Sequence, residues 1–381
     1  MRRASDAERA RLNDTFAALC RIESPSGRER ACADRVSEEL RGLGLDVEED
    51  DAGAAIGSDA GNLLARLPGA RPQSILLCAH LDTVPPLAPI DPVIVDGGWE
   101  NAGDGILGAD NKAAVAILLE LARRFAGAGE PPPVGLELLF TVAEETGLRG
   151  AKAFDRSRLH SEFGYTFDHA SPIGGIVVAA PTYDKIVAVF HGRAAHAGVR
   201  PEEGRSAIAA AARAIAPMRL GRLDEETTAN VGLIAGGSST NVVAERCSLE
   251  AEVRGLDEAR VDEVTTELVD HLHDAANAAE CDLDVTVTRL FRGYRYKPNA
   301  PQILAAERAL EACGYEPQHV VTGGGADANA FYAAGLPCAN LADGTQRNHE
   351  PGERISIDAL EGMLEVAIAL LDSAAAEIVA A

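Results

Sequence analysis

Two short, almost unbroken apolar runs, "SILLCAHLD" at residues 74 to 82 and "GLELLFTVAEE" at 135 to 145, bracket a helical stretch, "NKAAVAILLELARRF" at 111 to 125. A strand without a polar face is covered on both sides, and strand, helix, strand in sequence needs a crossover connection. The chain is therefore expected to build a mixed, mostly parallel sheet flanked by helices. "SDAERARLNDTFAALCRI" and "GRERACADRVSEELRGLG" add helices ahead of it. From residue 183 the rhythm changes: "DKIVAVFHG", "GRSAIAAAARAIAPM", "TTANVGLIAGG", "RCSLEAEVRG", "DEARVDEVTTELVDHLHDAANAA" and "LDVTVTRLF" read as β-α-β-β-α-β, a ferredoxin-like α+β unit. Alternation resumes at "APQILAAERALEACG" and runs to a closing helix, "ISIDALEGMLEVAIALLDSAAAEIV". The expected organisation is an α/β domain of residues 1–183 and 296–381, interrupted by a smaller domain of residues 184–295.

With 381 residues and 46% hydrophobic content, the chain can bury sizeable cores. Acidic residues outnumber basic ones by 59 to 35, a formal net charge of -24. That potential repels phosphate backbones and anionic lipid, so neither nucleic acid nor membrane is an expected partner. Seven scattered cysteines with no C-x-x-C pair argue against a disulfide framework and against a sulfur-ligated zinc site. The N-terminal stretch lacks the apolar core of an export signal, and no apolar run approaches the roughly 20 residues that span a bilayer. A reduced, cytoplasmic location is expected.

Polar chemistry collects at strand ends, which is where open α/β sheets bind ligands. The first run finishes in "HLDTVPP", where His80 and Asp82 share a face and Asp82 is placed to accept the imidazole N–H. Asp110 precedes the helix in "ILGADNKAAV"; alone it is an ordinary N-cap. Glu144 and Glu145 close the second run, and strand alternation would turn them to opposite faces. Asp168 follows "FGYTF" and His349 follows "PCANL" in "TQRNHEPGERIS", whereas His169 is expected to turn away. His80, Asp110, Glu145, Asp168 and His349 are two histidines and three carboxylates, a donor set for two divalent ions with one shared carboxylate. Zinc is the default, with manganese and cobalt as alternatives. "GDGILG" at 103 to 108 imitates a dinucleotide-binding fingerprint, but no apolar strand runs into Gly103.

"HLDTVP", "GADNKAAVAILLE", "FTVAEETGLRGA", "TFDHASPIG", "GRAAHAGVRPEEGRSAI", "TTANVGLIAGGSSTNVV" and "TGGGADANAF" with "NHEPGERI" resemble, in order along almost the whole chain, the zinc aminoacylase/carboxypeptidase family of co-catalytic metallopeptidases. The resemblance is closest to its peptidase-T-like branch. It implies that His80 and Asp168 hold one metal, that Glu145 and His349 hold the other, and that Asp110 bridges them, with the Asp110–Asn111 bond cis. It further implies that Glu144 is the general base, that Asp82 orients His80, and that His196 of the inserted lid stabilises the oxyanion. Asn241, Arg254 and the loop Gly323, Gly324, Gly325 correspond to substrate-binding positions. Gly255 and Ala326 stand where the family often has serine.

The expected activity is two-metal hydrolysis of an amide bond in short peptides, of the aminopeptidase or tripeptidase kind. Asp168, where the family's carboxypeptidases and deacylases tend to carry glutamate, favours it. An N-acyl-amino-acid amidohydrolase acting on acylated amino acids, or a carboxypeptidase, is the alternative within the class. A catalytically inactive binding homologue is the alternative outside it, and its signature would be a broken ligand set. A homodimer paired through the lid is also implied.

Overall fold

The computed structural model describes residues 3–127 and 131–380. In chain order the principal strands are β1 (Val47–Glu49), β2 (Leu63–Leu67), β3 (Ser74–His80), β4 (Gly135–Thr141), β5 (Ser161–His169), β6 (Gly175–Ala180), β7 (Thr182–His191), β8 (Thr227–Gly236), β9 (Arg246–Gly255), β10 (Asp282–Phe291), β11 (Gln318–Val321) and β12 (Cys338–Ala342). The principal helices are α1 (Asp6–Cys20), α2 (Arg30–Gly42), α3 (Ala109–Gly127), α4 (Ala207–Ile215), α5 (Glu258–Ala278), α6 (Pro301–Cys313), α7 (Asp327–Ala333) and α8 (Ile357–Ala380). They fall into two compact units, Met1–Ala179 with Tyr296–Ala381, and Ala180–Arg295.

In the first unit the sheet runs β1-β2-β4-β3-β5-β12-β6, with β11 beside β6. β3 is parallel to β4 and β5, and β12 is parallel to β5. β3, β4, β5 and β12 therefore all finish at one edge, and His80, Glu144, Glu145, Asp168 and His349 stand at or beyond those ends, while Asp110 lies at the start of α3. Each residue of β4 is buried, as its unbroken apolar pattern predicts. The exception proves costly enough to be fully paired: Glu137 takes the Arg66 guanidinium and the N–H groups of His160 and Ser161. α3 contributes Ala113 through Leu119 to the core at zero exposure, where each buried leucine supplies about 1.5–3 kcal/mol of burial free energy. Among the described residues no helix is long and apolar enough to cross a membrane, and all seven cysteines are free.

In the second unit, β7, α4, β8, β9, α5 and β10 follow in that order, and the strands pair antiparallel as β8-β9-β7-β10. That is the ferredoxin-like arrangement. Burial alternates residue by residue along β7 and β9, and the buried face meets α4 and α5 in one cluster. Asp184 is the buried charge on that face, held by Arg289 at 2.8 and 3.0 Å and by the Thr265 hydroxyl at 3.2 Å. β8 is an edge strand. The short strand Gly221–Arg222 covers only Thr228 and Ala229, and further along Leu233 and Ile234 are 62% and 51% exposed.

Candidate metal centre

His80 is the last residue of β3, and its Nδ1 lies 2.9 Å from the Asp82 carbonyl oxygen. A carbonyl only accepts, so Nδ1 carries a proton and Nε2 is the nitrogen left for a metal. That nitrogen stands 3.3 Å from Asp110 Oδ1 and 3.6 Å from Asp168 Oδ1. On the other side of Asp110, His349 Nε2 lies 3.3 Å from Asp110 Oδ2 and 2.9 Å from Glu145 Oε1. The ligand atoms of His80, Asp110 and Asp168 all fall within 4.8 Å of one another, as do those of Asp110, Glu145 and His349. Asp110 Oδ1 and Glu145 Oε1 are buried without a hydrogen bond. Buried anionic oxygens without hydrogen bonds, facing imidazole nitrogens, make a donor set that suits two divalent ions sharing Asp110.

Asp110 is aimed by groups that come from the far end of the chain. The backbone turns through Gly108 at φ 76°, and the Asp110–Asn111 bond is cis. The buried carboxylate of Glu353 accepts the N–H groups of Leu107, Gly108 and Asp110 at 2.9, 2.8 and 2.9 Å. Asn348 Nδ2 donates to Asp110 Oδ2 at 2.9 Å, and Asn111 Nδ2 donates to Asp168 Oδ1 at 3.0 Å. Asn340 Oδ1 accepts the Asp168 N–H. In α7, Asp327 accepts the Thr141 hydroxyl at the end of β4, and burial pushes its carboxyl up to about 6. Glu353, Asn340, Asn348 and Asp327 were not singled out from the sequence, where isolated polar residues carry no period.

Two expectations need correction. β4 stops at Thr141, not at the glutamates, because Ala143 enters the left-handed region at φ 53° and the chain turns, with Gly147 and Leu148 donating to the Glu144 carbonyl. Strand alternation therefore does not separate Glu144 from Glu145. Both carboxylates join His80 in a third grouping within 4.8 Å. The difference between them is in their partners: Glu145 meets His349, while the Glu144 carboxylate is buried and makes no hydrogen bond among the described residues. Asp82, expected to orient His80 by its carboxylate, does so by its carbonyl. Its carboxylate, 3.5 Å from Nδ1, instead accepts the N–H of Glu144 at 3.0 Å, the N–H of Glu145 at 3.1 Å and the Ser26 hydroxyl at 2.6 Å.

The cluster holds protons that a cation would displace. Burial alone would lower the His80 imidazolium, but Asp110, Asp168 and Asp82 together keep its pKa well above the usual value. Ion pairing with the Asp110 and Glu145 carboxylates lifts His349 to about 10. Burial and then the charge of Asp110 raise Asp168 to about 7, and burial followed by Asp168 raises Glu144 well above a normal carboxyl. Metal ligands bind deprotonated, so at neutral pH loading must expel protons from His80, His349 and part of Asp168. Titrating zinc into the metal-stripped protein in weak buffer is expected to release protons, and affinity should rise with pH through the Asp168 value. Uptake with no proton release would contradict this assignment.

The remaining positions divide between the units. Gly323, Gly324 and Gly325 form the loop ahead of α7 in the first unit, where Gly324 N–H donates to the Thr322 hydroxyl. His169 is outside all three groupings and pairs with the Ser171 hydroxyl at 2.9 Å. In the second unit, His196 is exposed and bridges to Val242, and Ala197 N–H donates to the Asn241 carbonyl. Arg254 lies 4.1 Å over the Tyr183 ring and 3.1 Å from Glu252. β9 pairs Arg254 with Tyr183 at one end and Arg246 with His191 at the other. The ends are about 27 Å apart at the strand rise per residue. The loop bearing His196 leaves from the Arg246 end, so one unit keeps His196 and Asn241 far from Arg254.

Comparison with known proteins is in keeping with this geometry. The model of peptidase family M20/M25/M40 matches residues 76–373. YqjE of Bacillus subtilis, an uncharacterized protein, is 36% identical over 370 residues, 96% of this chain and 98% of that protein. The aminopeptidase PepT of Bacillus cereus has a solved structure that superposes with a TM-score of 0.86 at 37% identity, covering 96% of this chain and 99% of that one. A tripeptidase of Staphylococcus aureus superposes with a TM-score of 0.90 at 34% identity, covering 97% and 99%.

Proposed function

Because the chain belongs to peptidase family M20/M25/M40 and is a metallopeptidase, we propose that it cleaves the amide bond of di- or tripeptides with a free N-terminus, using two divalent ions. The observation that carries the reading is the pair of donor triads sharing Asp110, with the unpartnered Glu144 carboxylate beside both. His80 and Asp168 would hold one ion, Glu145 and His349 the other, with Asp110 between them. Ions bound there supply charge that polarises a carbonyl and acidifies a water. Glu144 takes the proton of the attacking water on its carboxylate and passes it to the leaving amine. His196 donates to the carbonyl oxygen as negative charge develops there. Arg254, Asn241 and the 323–325 loop bind the peptide, and Asp168 in place of a glutamate favours peptides over acylated amino acids. The test is a screen of tripeptides, dipeptides and N-acyl amino acids with zinc, manganese and cobalt. Turnover confined to acylated amino acids would move the protein to the deacylases.

The separation within the second unit supports a dimer. A tripeptide spans at most about 10 Å, so His196 and Arg254 of one copy, based at opposite ends of β9, do not both reach it. We propose that two copies pair through the exposed edge of β8 and that the partner copy supplies His196. Mixing a Glu144→Gln variant with a His196→Ala variant is then expected to restore about a quarter of wild-type activity, from the half of mixed dimers that carry one intact site. No recovery on mixing, or a monomer by light scattering, would refute it.

A further inference from the structure

We propose that Glu29 is a positioning residue for Glu144: it holds the backbone turn that aims the catalytic carboxylate, without touching substrate itself. The inference rests on the reading of Glu144 as the proton carrier. Ala143, one residue ahead, sits at φ 53°, a left-handed conformation that a side-chain-bearing residue adopts only where its surroundings hold it. Three side chains do the holding, and they take consecutive N–H groups. Val142 donates to Asn62 Oδ1 at 3.1 Å, Ala143 to Glu29 Oε1 at 3.0 Å, and Glu144 to Asp82 Oδ1 at 3.0 Å.

Glu29 is itself fully buried and saturated with donors. Its Oε1 also accepts the Gly27 N–H at 2.8 Å, and its Oε2 accepts the Ser58 hydroxyl at 2.6 Å. It belongs to none of the three metal-binding groupings. The segment that carries it braces two strand ends at once. Ser24 Oγ donates to the Leu81 carbonyl at 2.8 Å and Ser26 Oγ to Asp82, both just past β3, while Glu29 reaches the turn just past β4. A buried carboxylate with three donors and no ion-pair partner among the described residues serves as a clamp, and what it clamps is the residue before the base.

The experiment compares Glu29→Ala, Glu29→Asp and Glu29→Gln, each also combined with Glu144→Gln, for kcat, KM on a peptide, and metal content. Glutamine keeps an acceptor for Ala143 and offers an amide hydrogen to Ser58, so it should retain most of kcat. Alanine, or aspartate should the alanine variant not fold, should lower kcat about 10- to 100-fold with KM and metal content unchanged. In the Glu144→Gln background the same substitutions should cost nothing further, because they act through Glu144. Wild-type kcat in Glu29→Ala or Glu29→Asp overturns the proposal, as does an equal loss in Glu29→Gln or a loss of metal in step with kcat. If Glu144→Gln alone stays active, it is the reading of the base that fails.

Discussion

Glu144→Gln is expected to fold, to bind its full metal complement, and to lose turnover by about 10²- to 10⁴-fold. The substitution preserves shape and removes only the ability to accept a proton. The turn survives it, because the N–H groups of Glu144 and Glu145 are held by Asp82 through the backbone. No ion pair is broken, since the Glu144 carboxylate has no hydrogen-bonding partner among the described residues. Metal analysis beside steady-state kinetics on a tripeptide checks the point. Activity near the wild-type level would require another base, and the neighbouring carboxylates are already committed to histidines.

Asp110→Ala should empty both halves of the centre together. One oxygen faces His80 and the other faces His349, each at 3.3 Å, and no other residue is common to both triads. The loop itself should persist, because Glu353 grips it through backbone N–H groups. Metal per chain is expected near two in the wild type, near one in His349→Ala and near zero in Asp110→Ala, with activity lost in proportion or worse. Two ions retained by Asp110→Ala would show that the carboxylate bridges nothing.

His80, Glu145 and Asp168 stood out in the sequence because apolar runs stop and the next polar side chains stand at the edge of the sheet, whereas Asp110, at the start of α3, read alone as an ordinary helix N-cap. What surrounds them was not legible. Val142 and Ala143 look like a continuing strand, since nothing local says that Asn62 and Glu29 will take their N–H groups from loops far back in the chain. The role of the Asp82 carboxylate was misread for the same reason, as the H-x-D spacing suits an imidazole partner and the competing backbone donors lie beyond the next strand. The alternating pattern of the inserted unit was readable down to its element order. The distance between His196 and Arg254 was hidden, because it depends on which ends of β7 and β9 meet.

The interrupted course of the first unit also sets a timetable. Its sheet lacks β12 and its core lacks α6 and α8 until the segment after Arg295 has been made, whereas the inserted unit is complete by then. At roughly 5–20 residues per second, that closing segment takes several seconds to leave the ribosome. His349 and Glu353 lie within it, so the nascent chain finishes its smaller unit first, and its hydrolytic machinery is among the last things to come together.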